Sequence, residues 1–158
     1  LSDDQIHSLL EAARWSPSSM NAQPWRFLVG LREDSNFAAL VSSLKENNLE
    51  WAPNASAIVL VAATGEKVSN IEIFDAGLAV SALITQAQSM GLHTHQMGGF
   101  SKSKVKEVFS LPENVEPIVL IGVGKISEPS KLSQALLERE LAPRSRKPLT
   151  ELMLKGLN

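Results

Sequence analysis

A long run of residues, Ala76–Ser101, carries no formally charged side chain, and this run limits the folds open to the chain. With the residues just before it, the run predicts a helix over 71–90, capped by Asn70 and followed by Gly91. The helix is apolar nearly all round, so it has to be covered on every side, in the core or by another subunit. A chain of 158 residues has little material for that, which favours an oligomer.

Composition and charge exclude several classes of protein. The 15 Lys and Arg and 17 Asp and Glu give a net charge of 15 − 17 = −2, so we expect neither nucleic acid nor a membrane surface as partner. The absence of Cys excludes disulfide scaffolds and Cys nucleophiles, and no HExxH pairing predicts a metal site. Polar residues interrupt the uncharged run before it reaches the roughly 20 apolar residues that a bilayer span needs. No signal peptide is visible, so we expect a cytoplasmic protein.

The order of predicted elements indicates an α+β or α/β fold in one domain over residues 1–158. Ser2 and Gln5 form a capping box at the start of the first helix. The predicted helices span 3–15, 34–45, 71–90, 101–109 and 130–141, with a final helical turn over 149–154. The predicted strands span 25–30, 57–63, 92–97 and 117–124, of which the second is a buried run.

The loop Pro17–Pro24, called the serine loop below, is the first of three candidate binding segments. Its two hydroxyls and two amides, which include Ser18, Ser19 and Asn21, supply donors and acceptors that suit a polar heterocycle. The alternative is a helix-ending loop whose polar groups satisfy only the local backbone. On composition alone, that alternative is the better interpretation.

Two further segments are candidates. Gly98-Gly99, the glycine pair, ends a predicted strand and would let a ligand approach the main chain, although a tight turn is the better interpretation of the pair taken alone. Arg144 and Arg146, the arginine pair, face the same side of an extended segment, so both guanidinium groups could grip one phosphate. A solvated basic tail is the alternative there.

Asp75 is interpreted as a complement to the dipole of the long helix. No nucleophile–base pair is present, so no catalytic residue is predicted.

Glu11-Ala-Ala-Arg-Trp-Ser-Pro-Ser-Ser-Met-Asn-Ala-Gln-Pro-Trp-Arg-Phe27 closely resembles the signature of the nitroreductase family of flavoproteins. Residues 75–92, Met97-Gly98-Gly99-Phe100 and residues 144–148 resemble the central helix, the flavin-side loop and the phosphate-binding segment of that family. The resemblance covers nearly the whole chain. It implies a three-layer α/β/α fold with a central mixed, mainly antiparallel sheet, in an intertwined homodimer with two flavins at the subunit interface.

The activity implied by the resemblance is that of an FMN-dependent NAD(P)H oxidoreductase. Hydride from NADH or NADPH would pass to flavin N5 and on to a nitroaromatic, quinone or similar small acceptor in a ping-pong mechanism, without a protein acid or base. The residues carried over as cofactor-binding are Ser18, Ser19 and Asn21, reaching the flavin of the other subunit, then Asn48, Gln96, Met97, Gly98 and Gly99 along the ring, and Arg144 and Arg146 at the phosphate.

The resemblance also implies an arginine-rich segment upstream of the first helix, which the sequence starting at Leu1 does not contain. A protein without that segment would lose two cationic contacts to FMN. This motivates a second hypothesis, a flavin-binding or vestigial homodimer without turnover. A third, a structural oligomerisation domain without cofactor, depends on the long uncharged helix alone.

Overall fold

The computed structural model describes residues 1–45 and 47–155. The chain divides into two compact units, Leu1–Ile126 and Ser127–Asn158. The prediction of one domain over residues 1–158 therefore stays a prediction. None of the helices in the described residues is long and apolar enough to cross a membrane.

Helices and strands alternate in the first unit. Its helices are α1 (Asp3–Arg14), α2 (Ser35–Ser43), α3 (Asn48–Trp51), α4 (Asn70–Ser89) and α5 (Lys102–Val108), with 3₁₀ turns at Ser19–Asn21 and Ala52–Asn54. Its strands are β1 (Trp25–Leu31), β2 (Ala57–Thr64), β3 (His93–Met97) and β4 (Val115–Gly124). Most predicted elements are confirmed within one or two residues, whereas α3 and the 3₁₀ turns were not predicted.

The four strands form one sheet in the order β1-β2-β4-β3. Trp25 lies opposite Ala63 in β2, and Met97 lies opposite Leu120 in β4. All three pairings are antiparallel, which confirms the mainly antiparallel part of the prediction, and no parallel pair occurs among the described residues. The neighbours β2 and β4 are not consecutive in the chain, so α4, β3 and α5 connect them. The α+β class is confirmed.

Helices cover both faces of the sheet, each over its own apolar cluster. On one face, α1 and α4 pack on alternate residues of the central strands, such as Val59 and Val61 of β2. On the other face, α2 and α5 pack on the intervening residues, such as Ile58 and Leu60. The first unit thus has the predicted three layers, and β2 is buried on both sides.

Capping residues fix where two of these helices begin. Ser2 and Gln5 form the predicted capping box of α1, with hydrogen bonds of 3.0 and 3.3 Å. The predicted cap of α4, Asn70, is wrong, because Ser69 caps the helix and exchanges hydrogen bonds with Glu72 three residues on. The reciprocal Ser–Glu spacing explains why Ser69 takes that position. Gly91 follows α4 with φ +67°, as predicted.

Only one face of α4 is covered within the described residues. Its buried residues are Asp75, Ala76, Ala79, Leu83 and Ala87. Ile71, Ile73 and Phe74 remain exposed on the helix, and a Cβ on Gly77 would meet nothing within 4 Å. The expectation that another subunit covers the rest of this helix stays a prediction.

The second unit has little apolar material of its own. It contains a 3₁₀ turn (Pro129–Lys131), α6 (Gln134–Leu141) and α7 (Leu149–Leu152), so the helix predicted over 130–141 is interrupted where Leu132 is extended. None of its described residues is buried, and Leu141, Leu149 and Leu152 are exposed. This unit has no hydrophobic core among its described residues.

Candidate functional site

The end of α1 determines where the serine loop begins. The Glu11 carboxylate accepts hydrogen bonds from the Arg14 guanidinium at 2.6 and 2.7 Å and from the Trp15 indole at 2.7 Å. These bonds, with Arg14 as the larger cause, lower the pKa of Glu11 to about 2. Glu11 is therefore ionised at neutral pH, and it joins the last turn of α1 to Trp15, two residues before the loop.

The serine loop turns through three non-glycine residues in the left-handed region. Met20, Asn21 and Gln23 have φ values of 51°, 56° and 48°. The Ser18 hydroxyl accepts a hydrogen bond from the Gln23 amide at 3.0 Å, and the Gln23 side chain donates to the Asn21 carbonyl at 3.1 Å. Non-glycine residues adopt this backbone at a cost, so the loop depends on such contacts for its shape.

Asp75 of α4 reaches the same loop. One of its carboxylate oxygens accepts the backbone N–H of Ser19 at 3.0 Å, across 56 positions of sequence, and the residue is only 4% exposed. The interpretation of Asp75 as a complement to the helix dipole needs correction, because it is the sixth residue of α4 and the dipole effect falls off within the first turn. Its observed role is to accept a hydrogen bond from the loop.

A shallow cavity of about 470 Å³ lies where the serine loop meets α4. Residues 17–19 and the α4 residues Asn70, Ile71, Phe74, Asp75 and Leu78 line it. The side chains of Ser19 and Asn21 are exposed beside this contact. Among the described residues, neither side chain has a recorded hydrogen-bond partner, so both are available to a ligand.

The glycine pair lies just beyond β3 and beside α3. A Cβ on Gly98 would meet nothing within 4 Å, whereas one on Gly99 would lie 3.0 Å from the Asn48 side-chain nitrogen. That nitrogen donates to the Gly99 carbonyl at 3.3 Å, and the Lys45 amide donates to the same carbonyl at 3.0 Å. The structure thus places Asn48 next to the glycine pair, although they are far apart in sequence.

The two residues before the glycine pair alternate across β3. Gln96 is exposed and donates to the Thr94 hydroxyl at 3.3 Å, whereas Met97 is 1% exposed within the core. The Met97 side chain is therefore part of the core, and a ligand on this side would meet its backbone. His95 is exposed but lies on the same face of β3 as Met97, and its ring is 4.6 Å from that of Trp51.

The predicted site residues of the first unit form two groups. Ser18, Ser19 and Asn21 lie with Asp75, and Asn48 lies with the glycine pair. In residues 1–45 and 47–155, no hydrogen bond joins the serine loop to the glycine pair. This separation is compatible with the expectation that the serine loop reaches the flavin of another subunit, and it leaves that expectation as a prediction.

The arginine pair belongs to the second unit, between α6 and α7. Both residues are exposed, and the Arg146 guanidinium donates to the Ser145 carbonyl at 2.7 Å. No ion pair of either arginine is recorded within the part of the chain that the structure describes. The phosphate-binding role predicted for Arg144 and Arg146 stays a prediction.

Comparisons with known proteins identify the family. The model of the Nitroreductase family matches residues 1–48 and 31–125. The chain belongs to the nitroreductase family. It is 32% identical over 142 residues to an uncharacterized 15.4 kDa protein encoded in the ask 5′ region of Mycolicibacterium smegmatis, with 83% of this chain and 95% of the relative covered.

Two other similar proteins extend the comparison. A Bacillus subtilis protein provisionally named NAD(P)H nitroreductase YdgI is 24% identical over 177 residues, with 86% of this chain and 84% of the relative covered. A crystal structure described as an oxidoreductase containing FMN is 32% identical to this chain and superposes with a TM-score of 0.90. The match covers 99% of this chain and 83% of the chain in that structure. The nitroreductase fold is thus established for this chain.

Sequence reasoning missed two contacts of the candidate site. It interpreted Asp75 as a dipole partner and did not consider Lys45, whose amide holds the Gly99 carbonyl. Both contacts join residues distant in sequence, so helical or strand periodicity carries no signal for them. Within the described residues, no group of three His, Asp or Glu side chains is placed to hold a metal ion.

Proposed function

We propose that this protein binds FMN and uses it to oxidise NADH or NADPH and to reduce a nitroaromatic, quinone or similar small acceptor. The observation that carries the proposal is the match, over nearly the whole chain, to a structure of an oxidoreductase containing FMN at 32% identity. The provisional name of the B. subtilis relative supports NAD(P)H as the reductant.

The exposed groups of the chain fit a flavin. A Cβ on Gly98 would meet nothing within 4 Å, so the space beside its backbone is open. A flat ring can therefore approach the main chain here, which a larger side chain at this position would prevent. The serine loop presents the hydroxyl of Ser19 and the amide of Asn21, which can donate to and accept from the polar edge of a heterocycle. The arginine pair supplies two exposed cations suited to a phosphate.

The protein's own part in the reaction is placement. When bound, FMN supplies a hydride acceptor at N5 and carries the reducing equivalents to the acceptor. The Asn48 side chain donates to the Gly99 carbonyl and so fixes the glycine pair. In the proposed ping-pong cycle the oxidised nicotinamide leaves before the acceptor enters the same open face. No protein acid or base is assigned.

We also propose that the protein acts as an intertwined homodimer. The exposed face of α4, with Ile73, Phe74 and Gly77, offers apolar surface and a close helix approach to a second copy. Within the described residues, β1 pairs with one strand only, β2. Static light scattering at several protein concentrations tests the dimer, and a monomer at micromolar concentration would contradict it.

The visible spectrum of the purified full-length protein tests the central proposal. We expect a yellow protein whose flavin absorbance is bleached by NADH or NADPH without oxygen and restored by a quinone. Initial rates with both substrates varied should give the parallel double-reciprocal lines of a ping-pong mechanism. A protein that takes up no flavin, even with FMN added, would refute the proposal.

The second hypothesis, a flavin-binding homodimer without turnover, predicts a different result in the same experiment. The protein would be yellow, but neither nicotinamide would bleach it.

A further inference from the structure

Asp75 is a buried carboxylate that the proposed chemistry does not use. It lies in α4 next to Ala76 and one turn before Ala79, both fully buried. Burying a carboxylate in such surroundings is costly unless hydrogen bonds compensate for the lost water. Among the described residues, the one hydrogen bond recorded for it comes from the Ser19 amide at 3.0 Å. The carboxylate and the loop are therefore energetically coupled.

The serine loop needs such a contact because its shape is unfavourable by itself. Met20 and Asn21, which follow Ser19 directly, both have positive φ. Met20 is 99% exposed, so burial of its side chain does not stabilise this conformation. Strained residues of this kind persist only where surrounding structure holds them. The Ser19–Asp75 bond connects the start of the strained turn to a 20-residue helix.

A role in starting α4 does not explain Asp75. The first turn of that helix is already capped by Ser69, which exchanges hydrogen bonds with Glu72. Asp75 is one full turn further along, where the helix amides are bonded within the helix.

We propose that Asp75 is a positioning residue that holds the serine loop in the conformation that binds FMN. The inference deepens the proposed function and rests on it. A loop that occupies its binding conformation for only a fraction of the time lowers the apparent affinity by that same fraction. Asp75 thus acts on FMN through the Ser19 backbone, without touching the cofactor.

Three variants of the full-length protein test this role. Asp75→Ala removes the acceptor, and Asp75→Asn keeps an oxygen that can accept the Ser19 N–H. Asp34→Ala is the matched control, because Asp34 also accepts two backbone N–H groups, from Leu31 and Phe37 at 2.8 and 2.6 Å. Asp34 lies beyond the far end of β1, about 20 Å along the strand from the loop.

Two measurements are made on each variant. The first is hydrogen exchange of the Ser19 amide in protein stripped of FMN, and the second is FMN affinity by fluorescence titration, corrected for the folded fraction. We expect Asp75→Ala to speed exchange and to weaken FMN binding by about tenfold to a hundredfold, as for the loss of a hydrogen bond to a charged group. Asp75→Asn should keep most of the protection of the Ser19 amide and most of the FMN affinity. Asp34→Ala should leave the exchange rate and the affinity unchanged.

The possible failures are distinguishable. Equal Ser19 exchange in wild type and Asp75→Ala, or equal FMN affinity in Asp75→Ala and Asp34→Ala, overturns the inference while the proposed function stands. If Asp75→Ala does not fold, Asp75→Asn is compared with the wild type instead. Fast exchange of the Ser19 amide in both proteins would then show that Asp75 does not hold the loop. A wild type that binds no FMN refutes the proposed function, and faster exchange in Asp75→Ala then still supports the contact.

Discussion

Gly98→Ala should stabilise the fold and weaken FMN binding, two effects of opposite sign. A Cβ at Gly98 meets nothing within 4 Å, and the residue does not have a positive φ. A Gly→Ala change at such a position stabilises by about 0.4–1 kcal/mol, because it reduces the freedom of the unfolded chain. The same methyl group would stand where the flavin ring is proposed to approach. Overpacking costs of about 1–3 kcal/mol correspond to a roughly 5- to 150-fold weaker affinity.

Gly30→Ala is the matched control, because it should have the reverse pattern. A Cβ at Gly30 would lie 2.5 Å from the backbone N and Cα of Phe37, so α2 would have to move away from β1. We expect a loss of at least about 1–3 kcal/mol in the free energy of unfolding. The folded fraction should bind FMN normally, because Gly30 is in the core between β1 and α2.

The assay combines urea unfolding, followed by tryptophan fluorescence, with titration of FMN into each full-length variant. Unchanged FMN affinity in Gly98→Ala would remove the glycine pair from the proposed flavin site. A clear loss of stability in the same variant would show that the space above Gly98 is filled, and the reasoning from open space would fail.

Three further predictions test other parts of the proposal. Arg146→Ala should weaken FMN binding by about 1.5–3 kcal/mol through loss of a phosphate contact, with the fold intact. Arg139→Ala on α6 is the charge-matched control. Equal FMN affinities in the two variants would contradict the phosphate role of Arg146. Asn21→Ala should change the affinity or the visible spectrum of FMN, and an effect on thermal stability alone would favour a purely structural loop. The pKa of Glu116 is lowered from its ordinary value of 4.5, chiefly because the carboxylate accepts a hydrogen bond from Lys106. The ionised carboxylate therefore stabilises the fold above pH 4.5, and this stabilisation is lost as the pH falls through the lower pKa of the folded protein. The difference in unfolding free energy between wild type and Glu116→Gln should therefore shrink between pH 7 and pH 3, and a constant difference would refute the role of the ion pair.

Local signals in the sequence predicted most of the secondary structure. The Ser2–Gln5 capping box, the apolar run of β2 and Gly91 after α4 all involve residues within a few positions of one another. Such features are set by short-range chemistry, so one sequence carries them. The wrong cap at Asn70 is a local error, because the Ser69–Glu72 pair that caps α4 also spans only three positions of sequence.

Tertiary contacts are what the sequence could not provide. The Ser19–Asp75 bond and the Asn48–Gly99 bond each join residues about 50 positions apart. No periodicity or spacing rule connects such residues, because their proximity results from how the helices pack on the sheet. The resemblance to the nitroreductase family indicated Asn48 and Gly99 separately, and the structure adds that they touch.

The rigid part of the proposed site lies beneath its exposed side chains. Ser43 and Asp75 are the two buried polar residues in residues 1–45 and 47–155. The Ser43 hydroxyl donates to the Leu40 carbonyl within α2 at 2.7 Å, whereas the Asp75 carboxylate accepts the Ser19 amide of the serine loop at 3.0 Å. A buried polar group that forms such a bond favours one arrangement of the backbone that it contacts. Exposed side chains such as that of Asn21 should therefore affect ligand binding with little effect on stability, whereas Asp75 should affect both.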